Sequence, residues 1–412
     1  MMSKRWGLTA VIAVAMALLL AACGADATAT PTSAPTPTPP PQAEPTATPD
    51  EAARAQAEWD ALIAAAQEEG NLSLSFNTSS GRSLRPVAAF FEEKFGIKTV
   101  VSVGSGGASA NRILAERTNG QFLVDIMYSG QSTANGRMVP SGSLAPFDDF
   151  LVLPEVTDRS LWFGGRHWYG DVEQTLVFNY AASAETYDAS MRYNTDIVTQ
   201  EDVDAFNTVH DYLDPKWAGM IVAYTPTGSG GGGNYYQAYV HPDVGKEFLA
   251  RLLSPEMDVV FTNDLPFIVN GVAQGKFAMC IACGSAGTDI DSLASLGAPV
   301  ARLTKKVTAG GVLSGTTNQV LIMLNQPNPN AGKLWINWFL SKEGATKMHT
   351  IAAQAMDPTL RVDVTEWGTT VESERRVEGE PYYFFTSDPE YLAFYDEALA
   401  YSGGLYEALP PR

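Results

Sequence analysis

The chain has 412 residues, of which 45% are hydrophobic, so it is long enough for one large domain or two smaller ones. Its formal net charge of −19 argues against nucleic-acid binding, because an acidic surface repels phosphate backbones. A small anionic ligand remains compatible with this charge, since a site can be built from local N–H groups.

Residues 1–22 have the pattern of a bacterial lipoprotein signal peptide. Two basic residues precede an apolar stretch that is too short to span a bilayer comfortably. The stretch ends in Leu-Ala-Ala followed by Cys23, which is typical of a lipobox, so Cys23 is the predicted site of lipidation. Residues 23–49 consist mainly of Ala, Thr and Pro, a composition that favours an extended tether. We therefore expect an extracytoplasmic protein that a lipid on Cys23 holds at the membrane.

From residue 50 the hydrophobic pattern predicts three successive strand–helix units. A helix over 50–69 precedes strands near 72–76, 97–103 and 122–128. All three strands end in small polar residues, namely Thr78-Ser79-Ser80, Gly104-Ser105-Gly106-Gly107 and Tyr128-Ser129-Gly130. The second loop lacks the third glycine of a dinucleotide fingerprint, and a plain strand-to-helix turn is its alternative interpretation. Alternating strands and helices predict a mostly parallel sheet, with a ligand crevice beyond the carboxyl ends of its strands.

The same pattern returns in the second half of the chain. Long strands are predicted over 172–180 and 312–324, and shorter ones over 220–224 and 277–283. The loop Thr225-Pro226-Thr227-Gly228-Ser229-Gly230 and the loop Cys283-Gly284-Ser285 follow the two shorter strands. The tail over 361–412 has an irregular acidic part and then an aromatic helix candidate, for which packing against a lobe is the expected role.

Cys280 and Cys283 are the two cysteines outside the signal region. Their C-x-x-C spacing is compatible with a disulfide, a redox pair or half of a zinc site, but no second ligand pair accompanies it. In a fully extended strand the two sulfur atoms would point to opposite faces, so a disulfide requires a turn between them.

The sequence contains neither the G-x-S-x-G elbow of a hydrolase nor the H-E-x-x-H motif of a metalloprotease. Asp125 and Asp171 are isolated carboxylates, for which a structural or ligand-orienting role is the preferred interpretation. We therefore predict a binding protein that needs no cofactor, with a phosphate-ester enzyme and a structural or adhesive surface protein as alternatives.

In this order, the segments resemble the extracytoplasmic solute-binding proteins of ABC importers, in the branch that includes ferric-iron, thiamine, phosphonate and polyamine binders. The matching stretches are spread over most of the body. They comprise 89–98 (Ala-Phe-Phe-Glu-Glu-Lys-Phe-Gly-Ile-Lys), 104–107 (Gly-Ser-Gly-Gly), 114–117 (Leu-Ala-Glu-Arg), 124–126, 142–147, 177–179, 211–219 (Asp-Tyr-Leu-Asp-Pro-Lys-Trp-Ala-Gly), 226–230, 329–333 and 339–344.

This resemblance implies a two-lobed α/β fold of the type II periplasmic-binding class, with an interlobe cleft and crossing hinge strands near Asn179 and Gly315. Lobe 1 would comprise residues 50–178 plus 314–412, and lobe 2 residues 179–313. Iron-binding members carry a Tyr-Tyr pair where this chain has Cys283-Gly284-Ser285-Ala286, and the pair Tyr235-Tyr236 lies elsewhere. The usual iron site is therefore in doubt.

We accordingly expect a monomeric lipoprotein that captures a small anionic solute, such as an organophosphate or a phosphonate, and delivers it to an ABC permease. Ferric iron with a synergistic anion, and thiamine- or polyamine-like cations, are the alternatives. The loops would supply N–H and hydroxyl donors to the anion, and aromatic rings would cover its remainder. The predicted ligand-binding residues are Thr78, Ser79, Ser80, Ser105, Gly106, Gly107, Tyr128, Ser129, Trp168, Asn179, Thr227, Gly228, Ser229, Tyr235, Cys283, Gly284 and Ser285.

Overall fold

The structure, a computed structural model, describes residues 49–227, 232–284, 286–368, 370, 372–377 and 379–411. Its helices are α1 (Pro49–Glu69), α2 (Thr78–Ser83), α3 (Arg85–Phe95), α4 (Gly106–Thr118), α5 (Gln131–Thr133), α6 (Pro154–Thr157), α7 (Gln200–Ala205), α8 (Gly232–Val240), α9 (Gly245–Leu252), α10 (Leu265–Ala273), α11 (Ala286–Ser295), α12 (Pro329–Leu340), α13 (Lys342–Thr350), α14 (Pro389–Leu392) and α15 (Tyr395–Glu407). Its strands are β1 (Asn71–Asn77), β2 (Lys98–Gly104), β3 (Ile126–Ser129), β4 (Val177–Asn179), β5 (Ser183–Glu185), β6 (Arg192–Asn194), β7 (Ile221–Ala223), β8 (Val260–Phe261), β9 (Met279–Cys280), β10 (Val300–Arg302), β11 (Gly311–Ser314), β12 (Gln319–Ile322) and β13 (Tyr382–Tyr383). None of the helices in these ranges combines the length and the apolar character needed to cross a membrane.

The strands form three sheets. The first has the order β2-β1-β3-β12-β4, the second β10-β6-β9-β7-β8, and the third β13-β11-β5. In the first sheet β1, β2 and β3 are parallel, and β12 is antiparallel to both β3 and β4. The carboxyl ends of β1 to β4 therefore meet at one edge, where β12 begins. We call the body built on the first sheet lobe 1 and the body built on the second sheet lobe 2.

The first sheet is covered by helices on both faces. On one face the side chains of Phe76, Tyr128, Phe178 and Val320 pack in a cluster with Trp335 of α12. On the other face, Met127, Val177 and Leu321 pack with Ala110 and Ile113 of α4. The predicted α/β class, with helices on both faces of a largely parallel sheet, is confirmed.

The two predicted long strands are interrupted. β4 is short because the Asp171 carboxylate accepts hydrogen bonds from the N–H groups of Thr175, Leu176 and Val177, which holds this backbone in a turn. The predicted strand over 312–324 is divided into β11 and β12 by residues 315–318. A Cβ atom on Gly315 would lie 3.1 Å from Cγ of Asn179, so the two crossing segments run side by side where we predicted a hinge.

The C-terminal helix packs differently from our expectation, which assigned all of 314–412 to lobe 1. Tyr395 and Ala398 of α15 belong to the hydrophobic cluster of lobe 2. The ring centroids of Tyr236 and Tyr395 are 5.1 Å apart, and Lys246 forms an ion pair with Glu397 at 3.0 Å. The aromatic side chains of α15 thus complete the core of lobe 2, which the order of segments along the chain does not reveal.

Candidate functional site

A row of polar residues crosses the carboxyl edge of the first sheet. Asn77 pairs with Gly104 at the ends of β1 and β2, and Gln319 pairs with both Ser129 and Asn179. Paired residues of neighbouring strands point to the same face of a sheet, so the side chains of Ser129, Gln319 and Asn179 share one face. Loops from four strands therefore converge at this edge, as the sequence predicts for a ligand crevice.

Polar side chains in the loops after β1 and β2 cap the helices that follow these strands. The Asn77 side chain accepts a hydrogen bond from the N–H of Ser80 at 2.8 Å, at the start of α2. The Ser105 hydroxyl accepts one from the N–H of Ala108 at 3.3 Å, at the start of α4. Of the predicted residues in these loops, Thr78, Ser79 and Ser105 are exposed, Ser80 and Gly107 are buried, and Gly106 lies against Thr133.

Three buried amide side chains lie at the same edge with unused hydrogen-bonding capacity. Gln131 and Asn179 are 1% exposed and Gln319 is 0% exposed. Both amide atoms of Gln131, both of Gln319, and Oδ1 of Asn179 have no hydrogen-bond partner among the described residues. Leaving a buried polar atom unpaired costs about 1–3 kcal/mol, so this concentration of unpaired atoms makes the edge a candidate binding site.

The N-terminus of α8, from lobe 2, faces this part of lobe 1. A Cβ atom on Gly233 would lie 3.6 Å from Cγ2 of Thr316 and 4.0 Å from Oε1 of Gln131. A Cβ atom on Gly232 would lie 3.9 Å from Cβ of Ser132. The first turn of a helix carries unpaired N–H groups and a partial positive charge. The two lobes therefore bring a helix N-terminus and the buried Gln131 amide together.

The rest of the predicted lobe 2 loop is only partly described. Thr227 is exposed, and its carbonyl oxygen accepts a hydrogen bond from the Thr225 hydroxyl at 2.9 Å. Gly228, Ser229 and Ser285 lie outside the described residues, as does Cys23.

The three aromatic residues that we predicted to cover a ligand lie inside the two lobes. The Tyr128 hydroxyl accepts a hydrogen bond from Nε1 of Trp335 at 2.9 Å. Nε1 of Trp168 donates to the carbonyl of Phe163 at 2.8 Å. The Tyr235 hydroxyl donates to the carbonyl of Tyr224 at 2.6 Å. Each polar atom is thus engaged within its own lobe, and ligand contact by these residues stays a prediction.

Cys280 and Cys283 form a disulfide at the end of β9. The turn that this bond requires is present, because Ala282 has a positive φ of 54°. Gly284 follows with a φ of +51°, a conformation that glycine adopts at little cost. Both cysteines are buried and Gly284 is exposed, so the disulfide fixes the loop that leads into α11.

The ionisable groups that the sequence singles out are engaged in contacts within the fold. Burial raises the pKa of both Tyr235 and Tyr236, and the Tyr236 hydroxyl donates to the carbonyl of Phe385 at 2.6 Å. The Asp125 carboxylate accepts bonds from the N–H groups of Ser73 and Asn328, both at 2.7 Å, a structural role like that of Asp171. Within the described ranges, no group of three or more His, Cys, Asp and Glu residues could hold a metal ion.

Our sequence reasoning missed Gln131 and Gln319. Gln319 precedes Val320, Leu321 and Ile322, and a lone amide at the start of such an apolar strand is an unusual residue to bury. This polar residue at the start of an apolar strand was the signal from which Gln319 could have been found. Gln131 follows the predicted Ser129-Gly130 loop directly and carries no comparable signal.

The sequence model of the bacterial extracellular solute-binding protein family matches residues 77–346, which is more than half of the chain. The protein therefore belongs to this family, a family of solute-binding components of ABC transporters. Membership implies an extracytoplasmic location. No relative was found among curated protein sequences.

Solved structures with the same fold cover most of the chain at low sequence identity. Iron-bound HitA from Pseudomonas aeruginosa is 16% identical, with a TM-score of 0.56 over 81% of this chain and 99% of that one. The periplasmic binding protein AfuA from Actinobacillus pleuropneumoniae, with fructose-6-phosphate bound, is 17% identical, with a TM-score of 0.58 over 82% and 99%. The substrate-binding protein of an ABC transporter from Agrobacterium tumefaciens is 16% identical, with a TM-score of 0.58 over 82% and 94%. These similarities confirm the type II periplasmic-binding fold.

Proposed function

We propose that this protein captures a small anionic solute of the organophosphate or phosphonate class and delivers it to an ABC permease. The solute would bind between the carboxyl edge of the first sheet and the N-terminus of α8. The observation that carries the proposal is the placement of this helix N-terminus opposite the buried, unpartnered amide of Gln131.

The chemistry of this arrangement suits an anion. Helix N-termini bind phosphate and carboxylate groups through unpaired N–H donors and the helix dipole. The Gln131 side chain, whose Oε1 would lie 4.0 Å from a Cβ atom on Gly233, adds an unpartnered Nε2 donor close to the first turn of α8. AfuA, which has this fold, binds a sugar phosphate, and that precedent supports the same ligand class here.

The location of the protein follows from its N-terminal sequence. Lipid on Cys23 and the tether over 23–49 would hold the body a short distance from the membrane, within reach of the permease. Mass spectrometry of the membrane fraction should find acyl chains on Cys23, and a Cys23→Ser variant should appear in the soluble fraction instead. A soluble wild-type protein would contradict the anchor.

Ferric iron is the principal alternative, because HitA, a protein of this fold, binds iron. It has less support in this chain, because the hydroxyls of Tyr235 and Tyr236 already donate to backbone carbonyls. A phosphate-ester enzyme has less support still, since the carboxylates of Asp125 and Asp171 are engaged by backbone N–H groups.

Thermal unfolding of the full chain with a panel of solutes tests the proposal. The panel contains fructose 6-phosphate, glycerol 3-phosphate, methylphosphonate, inorganic phosphate, ferric citrate, thiamine and spermidine. A ligand at about 100 times its Kd stabilises the folded state by roughly 2.7 kcal/mol, which raises the Tm measurably. We expect stabilisation by at least one organic phosphate or phosphonate and by neither of the two organic cations.

A glycine pair supplies the matched control. Gly233→Val places methyl groups between the start of α8 and Gln131, and should abolish the ligand-induced rise in Tm. Gly404→Val alters a helical glycine of α15 at which an added Cβ atom would meet no other atom within 4 Å, and should retain that rise. Stabilisation by ferric citrate alone, or an unchanged response of the Gly233 variant, would overturn the proposed ligand class or its site.

A further inference from the structure

The unpartnered amides present both hydrogen-bond donors and hydrogen-bond acceptors, and an oxyanion alone can pair only with the donors. Gln131, Gln319 and Asn179 together present three oxygen acceptors and two NH2 groups without partners. The oxygens of a fully ionised phosphate or phosphonate accept hydrogen bonds and have no proton to donate. Such an anion can pair with the two NH2 groups, but it leaves the three amide oxygens unsatisfied.

The orientation of the Asn179 amide is fixed by its other contacts. Its Nδ2 donates to the carbonyl of Thr386 at 3.1 Å and to the hydroxyl of Ser387 at 2.8 Å. Exchanging the oxygen and nitrogen would bring Oδ1 against a carbonyl oxygen, so Oδ1 is the atom left free. For Gln131 and Gln319 both amide atoms are unpartnered, and an exchange therefore leaves the count unchanged.

The side chains of Gln319 and Asn179 are neighbours, and both lie close to Gly170. Both residues pair in the sheet, and a Cβ atom on Gly170 would lie 2.5 Å from Nε2 of Gln319 and 3.2 Å from Oδ1 of Asn179. Only a glycine at position 170 leaves these two amide groups room on the same face of the sheet.

We propose that Gln131, Gln319 and Asn179 form a subsite for hydroxyl groups, so that the solute is a hydroxylated organic anion of the polyol phosphate or sugar phosphate class. This inference rests on the proposed function and narrows its ligand. Hydroxyls both donate and accept, and can therefore satisfy the amide oxygens and the NH2 groups together. Unlike the N-terminus of α8, the subsite discriminates between an organic phosphate with hydroxyls and one without them.

Calorimetric titration of the full chain with two matched probes tests the inference. Glycerol 3-phosphate and propyl phosphate carry the same phosphate ester, and only the first has free hydroxyls. Fructose 6-phosphate extends the hydroxylated series. Sites built to bind a hydroxyl reject the analogue that lacks it by large factors, so we expect the hydroxylated probes to bind at least about 100-fold more tightly.

Gln319→Leu should lower the affinity for the hydroxylated probes about 10-fold or more and leave that for propyl phosphate unchanged. The variant should also keep or raise the Tm of the ligand-free protein, since it removes a buried amide that has no partner. Gln326→Leu, at a residue four positions beyond the last residue of β12, is the matched control and should leave the ratio of the two affinities unchanged.

Each outcome decides a different claim. Equal binding of the two matched probes, or a preference that survives in the Gln319 variant, overturns the hydroxyl subsite and leaves the anion site standing. Binding of the neutral polyol sorbitol that depends on Gln319, with no binding of any phosphate, supports the subsite and overturns the anionic solute. A crystal structure with fructose 6-phosphate in which only water contacts the three amides also overturns the subsite.

Discussion

Asp357 contacts the crossing segment at Asn318, and its pKa allows the cost of a desolvated charge in this region to be measured. Its carboxylate accepts a hydrogen bond from Nδ2 of Asn318, whose backbone oxygen accepts one from the N–H of Tyr180 at 3.1 Å. Desolvation raises the pKa of Asp357 to about 7, and the carboxylates of Glu374 and Glu185 add to this rise. Asp357→Asn removes the ionisation and keeps an oxygen that can accept from Asn318.

The magnitude follows from proton linkage. An unfolded aspartate has a pKa of about 3.9, so the folded chain binds this proton more tightly than the unfolded chain does. Holding the ionised carboxylate in the folded state therefore costs stability above the folded pKa, and the cost declines as the pH falls toward the unfolded pKa. For a folded pKa of about 7, the free-energy cost of ionised Asp357 to the folded state rises by roughly 2–3 kcal/mol between about pH 5 and pH 8.

Urea unfolding of the wild type and of Asp357→Asn at several pH values in this range measures the effect. We expect the variant to gain roughly 2–3 kcal/mol of unfolding free energy relative to the wild type as the pH rises from about 5 to 8. Asp149→Asn, which makes the same chemical change at an exposed carboxylate, is the matched control. Parallel pH profiles for the wild type and the Asp357 variant would refute the reasoning.

Three further predictions concern stability and can be checked by chemical unfolding. Arg361 is fully buried and forms two hydrogen bonds to the Asp363 carboxylate, so Arg361→Met should cost about 3 kcal/mol or more, and a cost near zero would contradict this role. Burial lowers the pKa of His349 to about 4, so below about pH 6.5 the unfolded chain binds a proton at this residue that the folded chain does not. The unfolding free energy should therefore fall by up to roughly 3 kcal/mol as the pH falls from about 6.5 toward 4. His349→Gln should flatten this acid loss, whereas an unchanged acid limb would count against it. Replacing both Cys280 and Cys283 by Ala should lower the unfolding free energy by about 2 kcal/mol, and reductant should produce the same loss in the wild type but none in the variant.

The periodicity of apolar residues was sufficient to predict the class of fold. Alternating strands and helices indicated a parallel sheet, and β1, β2 and β3 form one. Periodicity could not predict the shortness of β4, because there the Asp171 side chain competes with the sheet for backbone N–H groups. It also could not place α15, whose aromatic side chains fit either lobe by composition alone.

The candidate site was predictable only in part. Small polar residues at strand ends marked the loops after β1, β2 and β3, because such residues stand out directly in the sequence. The amide cluster depends on the pairing of Gln319 with Asn179 and Ser129, which are distant in sequence. Strand order and register create this juxtaposition, and neither can be deduced from residue types along a single chain.

Gly106 belongs to the predicted ligand-binding loop and also packs against Thr133 of α5. The sequence predicts that Gly106→Val weakens ligand binding far more than folding. A Cβ atom at this position would lie 2.6 Å from the hydroxyl oxygen of Thr133, a residue only 4% exposed, so folding should suffer as well. We expect Gly106→Ala to cost about 1–3 kcal/mol, and a second change, Thr133→Ala, to recover much of this by removing the hydroxyl.

Unfolding of the wild type, the two single variants and the double variant measures the coupling between these positions. Gly136→Ala is the control, because a Cβ atom there meets no atom within 4 Å. A coupling energy near zero would show that α4 and α5 have room for the extra carbon. The requirement for glycine at position 106 would then come from the ligand, which is the role that the sequence predicts. A large coupling would instead attribute the glycine to the packing of α4 against α5, and would leave the capping hydroxyl of Ser105 and the buried amides as the polar features of this edge.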